Sequence, residues 1–370
     1  MKVLILSCNT GGGHNAAAFA LKESLEFHHH EAEVLDLMRL GRKHTSALVG
    51  GAYVKLVSVF PAGFGAAYQL GELVRRVPGK SPVYYANARL GNALADYIVQ
   101  NHFDGVVTTH LYPAETLTWM KQKGLLTIPC VAIATDYACI PFWEETNCDD
   151  YVIPHKDLIP EFASYGIPKE KLLPLGIPVR PAFSRPASKD VRRHLGLPED
   201  APLFLVMSGS MGFGKVHLLA HELVSRLKSG EQVVIICGNN KKRARSLRLQ
   251  FHKNSNVHVV GFTRHVAEYM AAADVLFTKP GGLSSTEAIV RRVPLIHTDP
   301  IPGCETKNRA FFVSRGMSVT GTHQKELADA GISLAKDDAR QIAMRDAQRE
   351  NSHPQAGTAI THLLEKLVSE

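Results

Sequence analysis

Asp274-Val-Leu-Phe-Thr-Lys-Pro-Gly-Gly-Leu-Ser-Ser-Thr-Glu287-Ala-Ile289 carries more information than any comparable stretch of this chain. Val275 to Thr278 is a short apolar run of the kind that forms a buried strand. It breaks at Pro280-Gly281-Gly282, and a helical pattern resumes over 284–291. Glycines without a Cβ let a ligand come against the backbone, and a new helix aims unpaired N–H groups at it. Such a turn is an anion site, and phosphate is the usual anion. Glu287, read here on the first helical turn, can accept hydrogen bonds from sugar hydroxyls. Together these features point to a nucleotide-sugar diphosphate. Ser284 to Glu287 also fits a capping box, in which the glycines only make a tight turn.

Outward from this stretch, short β-branched runs alternate with longer helical patterns. Strands are predicted at 2–7, 33–36, 105–109, 130–134, 150–153 and 171–175, then at 202–208, 232–237, 257–260, 274–278 and 293–297. Helices are predicted at 15–28, 85–101 and 113–123, then at 214–229, 241–252, 264–272 and 284–291. This βαβ alternation predicts parallel sheets covered by helices on both faces. Three prolines between Gly176 and Pro186 mark a break between two halves. The expected organisation is an N-terminal domain over 1–180, a linker over 181–186, a C-terminal domain over 187–350 and a terminal helix over 351–370. The architecture implied is α/β, two doubly wound Rossmann-like domains facing a cleft.

Composition bounds the function. The 370 residues suit two domains, and 45% hydrophobic with 21% charged residues is ordinary for a globular protein. No apolar run approaches the ~18–20 residues of a membrane-spanning helix. The N-terminal sequence lacks the pattern of a signal peptide. The six cysteines are scattered without metal-ligand spacing, so a reduced, cytoplasmic protein without structural zinc is expected. Residues 41–90 hold seven Lys/Arg against one acid, Glu72, interleaved with Tyr53, Phe60, Phe64 and Tyr68. That mixture suits an anionic membrane surface, contacted through about residues 50–80. No nucleic-acid-binding signature accompanies it. The basic run from Lys241 to Arg245 reads as the solvated face of a helix.

Each half opens with a strand that ends in glycines. In the first, Gly11-Gly12-Gly13-His14 precedes a helix-forming stretch and sets His14 at the turn, where a near-neutral imidazole can accept a proton. In the second, Ser208-Gly209-Ser210-Met211-Gly212-Phe213-Gly214-Lys215 nearly matches a P-loop, but Val216 replaces the Ser/Thr that would hold Mg²⁺. A P-loop-like nucleotide-binding protein is thus the rival reading, and a diphosphate loop without a metal the better one. Asp136 ends a first-half strand as a second acid or an orienter of His14; an N-cap role fits it equally. Phe262 follows a strand where a flat base can lie. Glu305 and Asn308 begin a helix and can face hexose hydroxyls.

These motifs, in this order, resemble the diacylglycerol glycosyltransferases: monogalactosyldiacylglycerol synthases and processive diacylglycerol glucosyltransferases, of glycosyltransferase family 28. The likeness runs from Gly11–His14 through Thr135-Asp136, Gly209–Gly212, Cys237–Lys241, Gly261-Phe262, Thr278–Gly282 with Glu287, to Pro302–Asn308. It implies a GT-B fold and an inverting transfer of glucose or galactose from a UDP-hexose to diacylglycerol, without a metal or other cofactor. It also implies a peripheral protein on the inner face of the cell membrane. His14 would be the base, with Asp136 as alternative. Gly12 and Gly13, in the same turn, would help bind the donor. Gly209, Ser210, Met211, Gly212, Thr278, Lys279, Gly281, Gly282 and Leu283 would hold the pyrophosphate. Phe262 would meet uracil, Glu287 the ribose, and Glu305 and Asn308 the hexose. An alternative acceptor is another lipid, such as a polyprenyl-linked sugar. Two positions depart from the family: Cys304 stands where Gln is usual, and the segment after Asp136 lacks a common histidine.

Overall fold

The computed structural model describes residues 1–9, 12–41, 69, 71, 73–75, 79–207, 209 and 215–370. The loop residues Ser210, Met211 and Gly212, and most of the basic segment at 50–80, lie outside them. The chain forms two compact units. One comprises Met1–Pro181, Pro302–Cys304 and His353–Glu370; the other comprises Ala182–Ile301 and Glu305–Ser352.

Unit 1 is built on β1 (Lys2–Ser7), β2 (Glu31–Asp36), β3 (Gly105–Thr108), β4 (Cys130–Ile133), β5 (Asp150–Val152) and β6 (Leu172–Leu173), in the order β2-β1-β3-β4-β5-β6. All pairings are parallel. Val3, Ile5, Val107, Val131, Ile133 and Val152 form its apolar floor, covered by Leu21 and Leu25 of the helix Gly12–Phe27. The terminal helix Ala356–Ser369 docks against that helix through Ile360 and Leu364, with Leu363 and Leu367 at the margin. Burying each such side chain contributes roughly 1.5–3 kcal/mol. The helical pattern at 85–101 resolves into two helices, Pro82–Ala88 and Gly91–Gln100. Gly91 sits so close to Trp119 that a Cβ there would lie 2.3 Å from the indole.

Unit 2 contains β7 (Leu203–Met207), β8 (Gln232–Ile236), β9 (Val257–Val260), β10 (Val275–Thr278), β11 (Leu295–His297) and β12 (Val319–Thr320), in the order β12-β11-β10-β7-β8-β9. This sheet is also parallel throughout. Read from β9, the order is that of a Rossmann sheet, reversing between β7 and β10. Unit 1 reverses between β1 and β3. The prolines before unit 2 do not exclude helix, since Pro181–Ser184 forms one turn that buries Phe183. Proline at a helix start loses no hydrogen bond. The sequence patterns passed over two helices after β11, Gln324–Leu334 and Asp338–Asn351, while the helix expected to begin at Glu305 and Asn308 is found over Cys304–Ser314. The helix Lys241–Gln250 exposes its basic face as expected and buries only Ala244 and Leu247.

The helix Gln324–Leu334 meets β10 at Gly331, where a Cβ would lie 2.1 Å from the ring of the fully buried Phe277. Overpacking such a contact costs about 1–3 kcal/mol. Gly331→Val is therefore expected to lower the thermal unfolding midpoint of unit 2 by several degrees, read by calorimetry.

Candidate active site

Both sheets place their glycine loops where the strand order reverses, the position at which the loops of neighbouring strands splay apart. In unit 1 the helix after β1 starts at Gly12, so Gly12, Gly13 and His14 form its first turn. Ser7 at the end of β1 donates to Asn15 Oδ1 at 2.6 Å and ties the turn to the strand. Thr109, just past β3, holds His14 twice. Its carbonyl accepts from Nδ1 at 2.9 Å, and its hydroxyl donates to the His14 carbonyl at 3.0 Å. Thr135, past β4, places its hydroxyl 2.9 Å from the same Nδ1.

A carbonyl can only accept, so the proton of neutral His14 resides on Nδ1 and the lone pair on Nε2. Burial lowers the pKa of His14 from 6.5, and the charge of Asp136 works against that shift. The imidazole is thus neutral near pH 7, with an acid placed to favour its protonated form. His110 lies edge-on to His14 at 4.5 Å between ring centroids. Its Nδ1 accepts the Tyr112 amide at 3.1 Å, and burial keeps it neutral. The structure thus brings His14 and Asp136 together, and adds Thr109 and His110. Neither was signalled by the sequence, where Thr109 read as the tail of a strand and His110 lay just beyond it.

In unit 2 the helix after β10 spans Gly282–Arg291, and Gly281 is its N-cap with no side-chain cap bond. This corrects two expectations. The helix starts two residues earlier than its apolar pattern, so Glu287 stands at the sixth position, on the second turn. The capping box of Ser284 and Glu287 does not form, because it needs Ser284 as the N-cap and Glu287 three residues on. Glycine tolerates the entry turn, which lets the helix begin before its apolar stripe.

Around this helix start the expected ligand-holding residues converge. Gly209 follows β7 at φ 69°, and a Cβ there would lie 3.1 Å from Lys279 Cε. Lys279 Nζ pairs with Glu305 Oε1, and Glu305 Oε2 accepts the Ile301 amide at 2.8 Å. Asn308, fully buried, donates to the Pro280 carbonyl at 3.0 Å. Glu305 and Asn308 therefore brace the Lys279–Gly282 turn as well as standing beside it. Thr278 is fully buried, and its hydroxyl has no hydrogen-bond partner among the described residues. Gly282, Leu283 and Glu287 are buried too, with Glu287 9% exposed. Phe262, past the edge strand β9, is 67% exposed and offers a free ring face.

One brace escaped the sequence. His297, fully buried at the end of β11, lies 2.9 Å through Nε2 from Ser285 Oγ and 3.0 Å through Nδ1 from Ser318 Oγ. Its ring packs edge-on against Phe312, 5.2 Å away. Burial, aided by the charge of Arg309, pushes its pKa down to about 3, so it stays neutral as it ties the helix Gly282–Arg291 to the sheet. Three residues so far apart in sequence leave no local pattern.

The opposing influences on His14 give a signed expectation. Asp136→Asn removes the influence that raises its pKa, so the titration midpoint of His14 should move further below 6.5, read by NMR of the imidazole carbons. An unchanged or raised midpoint would contradict the assigned proximity.

Comparison with known proteins follows the same division. Residues 14–179 match the family model "Monogalactosyldiacylglycerol (MGDG) synthase", and residues 188–353 match "Glycosyl transferases group 1". The processive diacylglycerol beta-glucosyltransferase of Staphylococcus carnosus is 30% identical over 67% of this chain and 63% of its own length. That of Staphylococcus saprophyticus is 34% identical over 61% of this chain and 57% of its own length. The chain thus spans less than two thirds of these curated relatives. Among solved structures, MurG of Acinetobacter baumannii is similar with a TM-score of 0.63 at 14% identity, covering 99% of both chains. UDP-GlcNAc 2-epimerase of Neisseria meningitidis, bound to UDP-GlcNAc, has a TM-score of 0.66 at 15% identity, covering 99% of this chain and 100% of its own. At those identities the likeness establishes the fold, which is GT-B. Each half of the chain is thus similar to a glycosyltransferase family model, the first to that of the monogalactosyldiacylglycerol synthases and the second to that of the group 1 glycosyl transferases.

Proposed function

We propose that the chain is an inverting hexosyltransferase that moves glucose or galactose from a UDP-hexose to the hydroxyl of diacylglycerol. The observation that carries this reading is the pairing of two different loops at the two reversal points. One presents a neutral histidine with its Nε2 lone pair uncommitted to Thr109. The other presents a glycine-rich helix start beside a lysine.

In the proposed reaction, His14 Nε2 takes the proton of the acceptor hydroxyl as its oxygen attacks the anomeric carbon. The bond from that carbon to the diphosphate oxygen breaks, and UDP leaves with the electron pair. Thr109 and Thr135 hold the imidazole, and the Asp136 charge favours the imidazolium that forms. Charge growing on the leaving diphosphate meets the N-terminus of the helix Gly282–Arg291 and the Lys279 ammonium, so the proposal requires no metal. Glu287 serves the ribose, Phe262 the base, and Glu305 with Asn308 the hexose. For Glu305 that role means sharing a carboxylate already bound to Lys279 and Ile301.

The membrane acceptor calls for surface attachment. No helix among the described residues is long and apolar enough to cross a membrane. Peripheral binding to the inner face through about residues 50–80 remains part of the proposal.

UDP release from UDP-glucose, UDP-galactose and UDP-N-acetylglucosamine, each with diacylglycerol vesicles and EDTA, tests the reading. Turnover with glucose or galactose donor is expected in EDTA; no turnover with any of the three would refute it, and strict Mg²⁺ dependence would favour the nucleotide-binding rival. His14→Ala should cut kcat by at least a hundredfold while UDP affinity stays within twofold, and Glu287→Ala should weaken UDP-hexose binding about tenfold, both read by kinetics and calorimetry. If His14→Ala retained near-normal turnover, Asp136 would be the base instead.

A further inference from the structure

Unit 2 carries a second polar cavity, at the opposite edge of its sheet from the glycine loops. Ala273 and Val293, just before β10 and β11, line it with Met270 and with Arg291, Arg292 and Arg345, the last two exposed; its volume is about 290 Å³. No carboxylate contributes to the lining. Among the described residues, none of these three arginines pairs with an acid. They differ in this from Arg192, Arg193, Arg226 and Arg349, which meet carboxylates at 2.7–3.0 Å.

The three are held by other means. Arg291 Nη1 donates to the carbonyls of Phe183 and Arg185. Arg345 Nη2 donates to Gln341 Oε1 at 3.1 Å. Arg292 ends the helix Gly282–Arg291 at φ 57°, in the left-handed conformation, with its amide bonded to the carbonyls of Ala288 and Ile289. Glycine is usual there, and another residue costs roughly 1–2 kcal/mol. A cation near a helix C-terminus contributes only about 0.3–1 kcal/mol. Arg291 already fills that role. The helix end therefore accounts neither for a second arginine at a strained position nor for a third brought in from another helix. Like charges gathered without an acid repel one another, and a bound anion relieves that repulsion.

We propose that this cavity binds a phosphate group, free in solution or carried on a lipid headgroup. Guanidinium forks match phosphate oxygens in pairs. The cavity lies at the small end of ligand pockets, which run ~300–1,000 Å³, and so suits a small anion rather than a nucleotide. The site is separate from the loops assigned to the sugar donor and does not rest on that assignment.

Calorimetric titration of the full chain with inorganic phosphate tests it, at fixed ionic strength and with UDP in saturating excess to occupy the donor loops. Wild type should bind saturably, and Arg292→Gly and Arg345→Gln should each lose at least tenfold in affinity. Arg292→Gly, freed of left-handed strain, should unfold at no lower temperature than wild type, which separates lost binding from lost folding. Flotation with phosphatidylcholine vesicles, with and without phosphatidylglycerol, distinguishes the sources. Phosphatidylglycerol-dependent binding lost in both variants, without binding of inorganic phosphate, assigns the site to a lipid headgroup. Equal phosphate affinity in wild type and both variants, or no wild-type binding in either arm, overturns the proposal.

Discussion

The pairing of β7 with β10, which sets Met207 beside Thr278, governs everything at the unit 2 site. These strands are far apart in sequence, and their neighbouring crossovers depart to opposite sides of the sheet. The loops that follow them therefore splay, leaving space over the strand ends. Gly209 and Lys279 come together there, and the left-handed φ of 69° at Gly209, with a Cβ only 3.1 Å from Lys279 Cε, favours glycine. Glu305 then fixes the ammonium, and Asn308 fixes the turn that follows. A register slip of one residue would exchange the two buried faces of β10 and dismantle the arrangement.

Unit 1 uses the same topological device for different chemistry. Its reversal lies between β1 and β3, so the first turn after β1 falls against Thr109. The result is an imidazole held by its Nδ1 proton in a partly dry environment. Desolvation keeps the ring neutral, while Asp136 limits how far its basicity falls. Where unit 2 offers amides and an ammonium to a negative group, unit 1 offers a lone pair to a proton. The arginine cavity at the other edge of the unit 2 sheet is a third polar feature, built on helix ends and not on strand ends.

Much of this was legible in the residues. Strand positions follow from β-branched runs: all eleven predicted strands coincide with an observed one, and only the two-residue β12 was passed over. The glycine loops announce themselves because three glycines in a row are poor formers of helix and strand, although Gly12 and Gly13 here open a helix. Helix ends were less legible. The start at Gly282 was missed because the helix begins on glycine, before any apolar periodicity, and this moved Glu287 to the second turn. The helix Asp338–Asn351 was missed because its apolar face is sparse; only Gln341, Met344 and Gln348 are buried.

The sequence by itself determined the fold class, the glycine turns and the residue types proposed to meet a phosphate or a proton, because each rests on local backbone freedom and short-range pattern. Only the tertiary structure decided how these residues are held. The tautomer of His14 depends on a carbonyl 95 positions away, and the Ser285–His297–Ser318 brace joins three segments with no common motif. Hydrogen bonds between distant strand ends depend on sheet order and register. Those are properties of the packed whole, so no local stretch of sequence encodes them alone.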